Sequence, residues 1–160
     1  SRVARGCRPL VRLLQVIRGF DPSAPPWSWG DGSAALATTL RTGLARSGTD
    51  PVAIASVVSG ASGARQGDRL EARVLGHLFG GKLPPVYAPK GAVGEAGGGH
   101  LGAAVLAAAG RLAAPTHGFA RPDPELGIVP VRASPPCGPV LVSSLASGGA
   151  AAWALLAVPD

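Results

Sequence analysis

The stretch Ala103–Leu112 carries apolar residues on every side of the helix it would form, and it follows directly on Gly91–Gly102, a segment half made of glycine. Such a helix has no face to offer water, so it must be sandwiched between layers. The rest of the chain supplies few amphipathic helices to do this. The expected remedy is a second copy of the same architecture, fused upstream or bound in trans.

Around that helix the pattern alternates. Pro9–Phe20 reads as a strand with ragged alternation, and Asp21–Gly32, with three prolines and two tryptophans, as a loop. Asp31 or Ser33 is placed to cap a helix running to Ser47, where Leu36, Leu40 and Leu44 recur at i, i+4, i+8 and Gly48 stops the pattern. Asp50-Pro51 starts a short turn. Ile54–Ser59 is a β-branched run suited to a buried strand, Gly60–Gly67 a loop, and Asp68–Leu78 a helix closed by Gly80-Gly81. Val86–Ala88, Ile128–Val131, Val140–Ser144 and Ala150–Val158 complete the strands, the last behind a Gly148-Gly149 turn. Helices alternating with strands predict an α/β class with a layered core.

Composition narrows the function classes. The chain is 46% apolar and 15% charged, which excludes a disordered chain. The density of Ala and Gly suits close helix–sheet packing and equally reflects biased codon usage. No window reaches the length of a membrane span. Cys7 and Cys137 form neither a disulfide framework nor a metal site, and a reducing cytoplasm is the default. Net charge is +6, with Arg2, Arg5, Arg8, Arg12 and Arg18 all preceding the first acid, Asp21. Nucleic-acid surfaces add aromatic stacking or a helix motif. The first twenty residues contain one aromatic, Phe20, and no such motif, so a solvated basic face, or one that meets an acidic protein, fits better. With no Met and an opening of Ser1-Arg2-Val3 that lacks a signal pattern, the chain is expected to be a fragment or a processed product.

Three segments, in order, resemble the C-terminal half of the β-ketoacyl synthase family. Val57–Gly63 followed by Asp68-Arg69-Leu70-Glu71 is similar to the family's strand, His-Gly-Thr loop and Asp-x-x-Glu helix start. Lys90–Glu95 resembles its Lys-x-x-x-Gly-His, and Ser143–Ala152 its Asn-Ser-Phe-Gly-Phe-Gly-Gly-Thr-Asn-Ala. Pro115-Thr116 and Pro122-Asp123-Pro124-Glu125 match the connection between them. The resemblance implies a thiolase-like layered fold over residues 1–160: a mixed sheet with a buried Gly/Ala-rich helix, and the N-terminal half absent from this chain.

Family members use a cysteine in the N-terminal half and two histidines that stabilise developing enolate and oxyanion charge. Spaced from Asp68 and Lys90, those histidine positions fall on Gly60 and Glu95. One has no side chain, and the other is a carboxylate that repels negative charge. Lys90 is retained and is expected to make a structural hydrogen bond or an ion pair with Glu71 or Glu95. Ser147, at the family's second Phe, is the candidate cavity-gating residue in this half.

The pattern is most similar to the chain-length factor, the inactive subunit that pairs with an active ketosynthase in type II polyketide assembly. The implied role is to shape the polyketide or fatty-acyl elongation cavity. The implied partners are a cysteine-bearing ketosynthase and an acyl carrier protein that presents the chain on phosphopantetheine, with no bound cofactor, nucleic acid or membrane. Arg-rich patches suit the acidic carrier. The alternatives are a divergent β-ketoacyl synthase or acyltransferase working without the histidines, and a degenerate remnant. His100 is read as too far from Glu95 to replace the lost histidine. His77 and His117 are read as surface or loop residues without metal-ligand spacing. Cys7 and Cys137 are read as structural and loop residues. Ser59 and Ser62 are read as lacking a basic partner, and the glycine run as packing, not a phosphate cradle.

Overall fold

The structure, a computed structural model, describes residues 3–95, 97, 99–111, 115–131 and 136–159. Five strands form one mixed sheet: β1 (Arg12–Phe20), β2 (Ser56–Val58), β3 (Val86–Tyr87), β4 (Val140–Leu145) and β5 (Ala150–Ala157), in the order β1-β5-β4-β2-β3. β2 is parallel to both β3 and β4, whereas β5 is antiparallel to β4 and β1. The helices are α1 (Ser33–Arg46), α2 (Arg65–Phe79), α3 (Lys90–Val93) and α4 (Gly99–Ala108).

The period of two in the strands separates two cores. Leu141, Trp153 and Leu155 face α1 and α2, packing with Ile17, Leu36, Leu40, Leu44, Val74 and Leu75. Val140, Val142 and Leu156 face the other way and pack with Val58, Tyr87 and the alanines 104, 107 and 108 of α4. The result is a three-layer stack with the sheet in the middle. Small residues let the layers approach: a Cβ on Gly43 of α1 would lie within 2.6 Å of Ile17 on β1. One side of α4 has nothing over it among the described residues, with Leu101 and Leu106 exposed. Leu14, Val16 and Phe20 of β1 are exposed as well.

Most expected elements are present with moved boundaries. The helix expected from Asp68 begins at Arg65, because Gly67 belongs to its first turn and not to the loop. The buried helix begins at Gly99 and runs to Ala108, while Leu112 lies outside the described residues. Neither Asp31 nor Ser33 caps α1 by its side chain; the N-cap is Gly32, whose N–H donates to Asp21 at 2.9 Å. Gly48 does close that helix, with positive φ and its N–H on the carbonyl of Ala45. Ile128–Val131 is not a strand. Its one ladder-like bond is Val131 N–H to the carbonyl of Val86, too little to extend the sheet beyond β3.

Candidate functional site

The loop after β2 is held by two carboxylates one helical turn apart on α2. Asp68 accepts from the N–H groups of Ser62 and Gly63 at 3.1 and 3.0 Å. Glu71 accepts from Gly60 N–H at 2.9 Å and from the Ser59 hydroxyl. The i, i+3 spacing puts both on one helix face, and Asp68 also sits where the helix N-terminus favours negative charge. The Asp-x-x-Glu pattern is therefore a staple for the loop that carries Gly60.

Glu71 is fully buried, and desolvation pushes its carboxyl above the usual range. Ser143, Ser59 and Gly60 oppose that shift, and the nearby charge of Asp68 adds to it. The Ser143 hydroxyl lies beside the carboxyl without the geometry of a hydrogen bond.

Gly60 is wedged between this staple and β4. A Cβ there would come within 2.9 Å of the Ser143 carbonyl oxygen, 3.3 Å of Ser144 Cα and 3.5 Å of Glu71 Oε1. The backbone as it lies leaves no room for any side chain at this position.

Lys90, in the first turn of α3, is buried with its side chain 7% exposed, and it meets Glu95 at 2.7 Å. A buried ammonium requires a counterion, and Glu95, 64% exposed, leans in from the turn to supply it. Glu71 is not the lysine's partner.

Gly60, Glu71, Lys90, Glu95 and Ser147 all line one cavity of about 280 Å³. Chain segments far apart in sequence thus converge on it. Trp29 from the loop before α1 and Leu145 from the end of β4 give it apolar wall.

Sequence reasoning missed Trp29, since nothing local marks a tryptophan in a proline-rich loop as cavity wall. It also missed the partner of Ser59, which lies 12 residues away on α2. That serine donates to Glu71 and accepts from Ala61 N–H at 3.0 Å, so its hydroxyl is committed to the loop.

His100 does not line the cavity. It is buried at the start of α4, with Nε2 donating to the Ser143 carbonyl at 3.0 Å and Nδ1 without a hydrogen-bond partner among the described residues. His77 and His117 are exposed, and both cysteines are free and exposed. Arg69 of α2 pairs with Asp123 and Glu125 at 3.6 and 2.9 Å, so the Pro-Asp-Pro-Glu segment is a strap across the helix. Among the described residues no cluster could hold a metal ion, and no helix is long and apolar enough to cross a membrane.

Comparison with known proteins gives one consistent answer. Residues 30–120 match the family described as beta-ketoacyl synthase, C-terminal domain. A 3-oxoacyl-[acyl-carrier-protein] synthase 2 of Mycobacterium tuberculosis is 33% identical over 141 residues, covering 82% of this chain and 32% of its own length. The chain thus spans about a third of the length of the curated relatives it matches.

Among solved structures, the ishigamide ketosynthase/chain length factor superposes with a TM-score of 0.83 at 23% identity, over 100% of this chain and 41% of that one. A type II polyketide acyl-carrier protein in complex with its ketosynthase bound to the hexaketide gives 0.82 at 16% identity, over 99% and 41%. At these identities the likeness is one of fold: the layered, mixed sheet of the thiolase-like ketosynthases.

Proposed function

The chain belongs to the β-ketoacyl synthase family, and from that premise we propose that it is a non-catalytic, chain-length-factor-like subunit that shapes an acyl elongation cavity. The observation that carries this reading is the state of the two histidine positions. Position 60 has no side chain and no space for one. Position 95 is a carboxylate already held by Lys90. Stabilising an enolate or oxyanion requires donors aimed at the developing charge. An ionised carboxylate only accepts, so neither position does the family's chemistry, while the loop staple that positions the site is intact.

In this reading the described fold is the C-terminal half of a thiolase-like unit. The bare side of α4 and the exposed Leu14, Val16 and Phe20 of β1 are covered by an N-terminal half, in the same polypeptide or in trans. The partners are an active, cysteine-bearing ketosynthase and an acyl carrier protein that presents its chain on phosphopantetheine. Structural relatives that are a ketosynthase/chain length factor and a carrier–ketosynthase complex support those partner kinds. The net charge of +6 suits an acidic carrier, and a cytoplasmic location belongs to the same reading.

The test is turnover. The protein alone, given malonyl and acyl groups on a carrier protein, is expected to release no carbon dioxide and form no ketoacyl product. Co-purification with an active ketosynthase is expected to give a heterodimer. Decarboxylation or condensation by the protein alone, or acylation of one of its residues by an acyl thioester, overturns the reading in favour of a divergent synthase or acyltransferase.

A further inference from the structure

A second cavity, of about 420 Å³, is roofed by the segment 116–130. That volume falls within the range of small-molecule sites, about 300 to 1,000 Å³. Its floor is β3, the residue just after it and α2, where Ala72 and Ala88 are buried and leave space that a larger side chain would take. Phe119, Leu126 and Ile128 of the roof add apolar wall. Ala61, Ser62, Asp68 and Glu71 border this cavity and the first one alike, so the loop after β2 stands between the two.

The roof is anchored along its length. At one end a Cβ on Gly91 would collide with the His117 carbonyl, and the Thr116 hydroxyl accepts from Ala88 N–H at 3.4 Å. In the middle Arg69 holds Asp123 and Glu125 at 3.6 and 2.9 Å. Just past the other end, Val131 N–H donates to the Val86 carbonyl at 2.8 Å. A roof held in this way keeps its shape, and a ligand does not have to order it first.

The charged groups on the lining divide into engaged and free. Each oxygen of Asp68 already accepts a backbone N–H, from Ser62 and from Gly63. Glu71 accepts from Gly60 N–H and the Ser59 hydroxyl, and Asp123 pairs with Arg69. Arg121 lines the same cavity and has no ion-pair or hydrogen-bond partner among the described residues. A guanidinium at an apolar cavity matches a carboxylate, which it can meet with two parallel hydrogen bonds. The His117 imidazole is on the lining as well and can donate an N–H in either protonation state.

We propose that this cavity is a binding site for a small apolar carboxylate of the aromatic-acid class, its ring among Phe119, Leu126, Ile128 and Val86 and its carboxylate on Arg121. The site is distinct from the cavity that holds Gly60 and Lys90 and does not depend on the function read there. A rigid ring loses little freedom on entering, whereas a flexible chain must have each rotor fixed. Phe119 also gives a ring an aromatic neighbour.

The experiment is calorimetric titration of the full protein with 2-naphthoate and with its uncharged amide, in the wild type, Arg121→Gln, Arg121→Lys and Leu126→Trp. The wild type is expected to bind the carboxylate about tenfold or more tightly than the amide. Arg121 is exposed, so Arg121→Gln leaves the core untouched. It is expected to weaken the carboxylate about tenfold, as the loss of a charge-assisted hydrogen bond does, and to leave the amide unchanged. Arg121→Lys is expected to recover part of that loss. Leu126→Trp, which puts an indole into the space, is expected to abolish binding of both probes. Thermal unfolding shows whether that variant folds, and where it does not, the Arg121 variants carry the test. No binding of 2-naphthoate by the wild type, or equal binding by Arg121→Gln, overturns the proposal. So does unchanged binding by folded Leu126→Trp, which puts the ligand elsewhere on the protein.

Discussion

Replacing Gly60 by alanine adds one methyl group, and the structure says where that group goes. It would lie 2.9 Å from the Ser143 carbonyl oxygen and 3.3 Å from Ser144 Cα, both backbone atoms of a central strand. At Ser143 and Ser144 β4 is paired with β5, and just before them, at Val140–Val142, with β2 as well, so its backbone cannot yield cheaply. The same Ser143 carbonyl accepts from His100 Nε2 at 3.0 Å, so displacing it also strains that buried bond. Overpacking a close-packed site costs about 1–3 kcal/mol, and a weakened buried hydrogen bond adds about 1 kcal/mol. The sum, about 3 kcal/mol, corresponds to a fall in Tm of about 6–12 °C for a chain of this size.

The assay is thermal and urea unfolding of Gly60→Ala beside Gly76→Ala. Gly76 is also a glycine of the same region, inside α2, but an added Cβ there meets nothing within 4 Å. That control is expected to gain about 0.5–1 kcal/mol from helix propensity alone. If Gly60→Ala is as stable as the wild type, the space argument is wrong. Position 60 would then have room for a side chain.

The buried carboxyl of Glu71 sets a pH dependence. Its folded pKa is raised, so the uncharged form is the one the fold prefers, and its contribution is full below the ordinary glutamate range and lost as pH rises through the raised value. Urea midpoints should therefore move in favour of Glu71→Gln over the wild type as pH climbs above that range; a gap constant with pH refutes the assignment. The Lys90–Glu95 pair should be asymmetric. Glu95→Ala leaves a buried ammonium unpaired and should cost about 1–2 kcal/mol after allowance for the exposed carboxylate. Lys90→Met leaves only a solvated carboxylate and should cost less than about 1 kcal/mol; equal costs would mean the pair is not what keeps Lys90 buried. Burial works against the Asp21 charge, but hydrogen bonds from the Ser23 hydroxyl, Gly32 N–H and Ser23 N–H outweigh it and hold its pKa below the usual range. Asp21→Ala should then cost about 3 kcal/mol and release the loop that carries Trp29, read as faster amide exchange over residues 21–32. Unchanged exchange there would sink that account.

The places where sequence and structure part have specific causes. Gly67 reads as loop because a glycine before a helix ordinarily marks its outside; it is inside because the indole of Trp29 needs the space of its missing side chain. Ile128–Val131 has the residues of a strand but makes one hydrogen bond to β3, and a strand needs a partner along its length. Ser59 appears isolated until α2 brings Glu71 across to it. His100 reads as a residue of the glycine-rich turn; it is buried because α4 begins earlier than its apolar run and lays its first turn on β4.

What the sequence determined by itself is what travels in short range. Alternation and i, i+4 recurrence set the elements and the α/β class, and the order and spacing of three segments set the family. The glycine at 60 and the carboxylate at 95, the positions where the resemblance puts the family's histidines, were read in the same way. Tertiary structure alone decided that position 60 has no room, that Lys90 is neutralised by Glu95 and not Glu71, and that Trp29 lines the cavity. Those facts depend on distances between β4, α2 and a loop before α1, elements separated by scores of residues. Close packing fixes such distances to fractions of an ångström, and no local pattern in a chain encodes them.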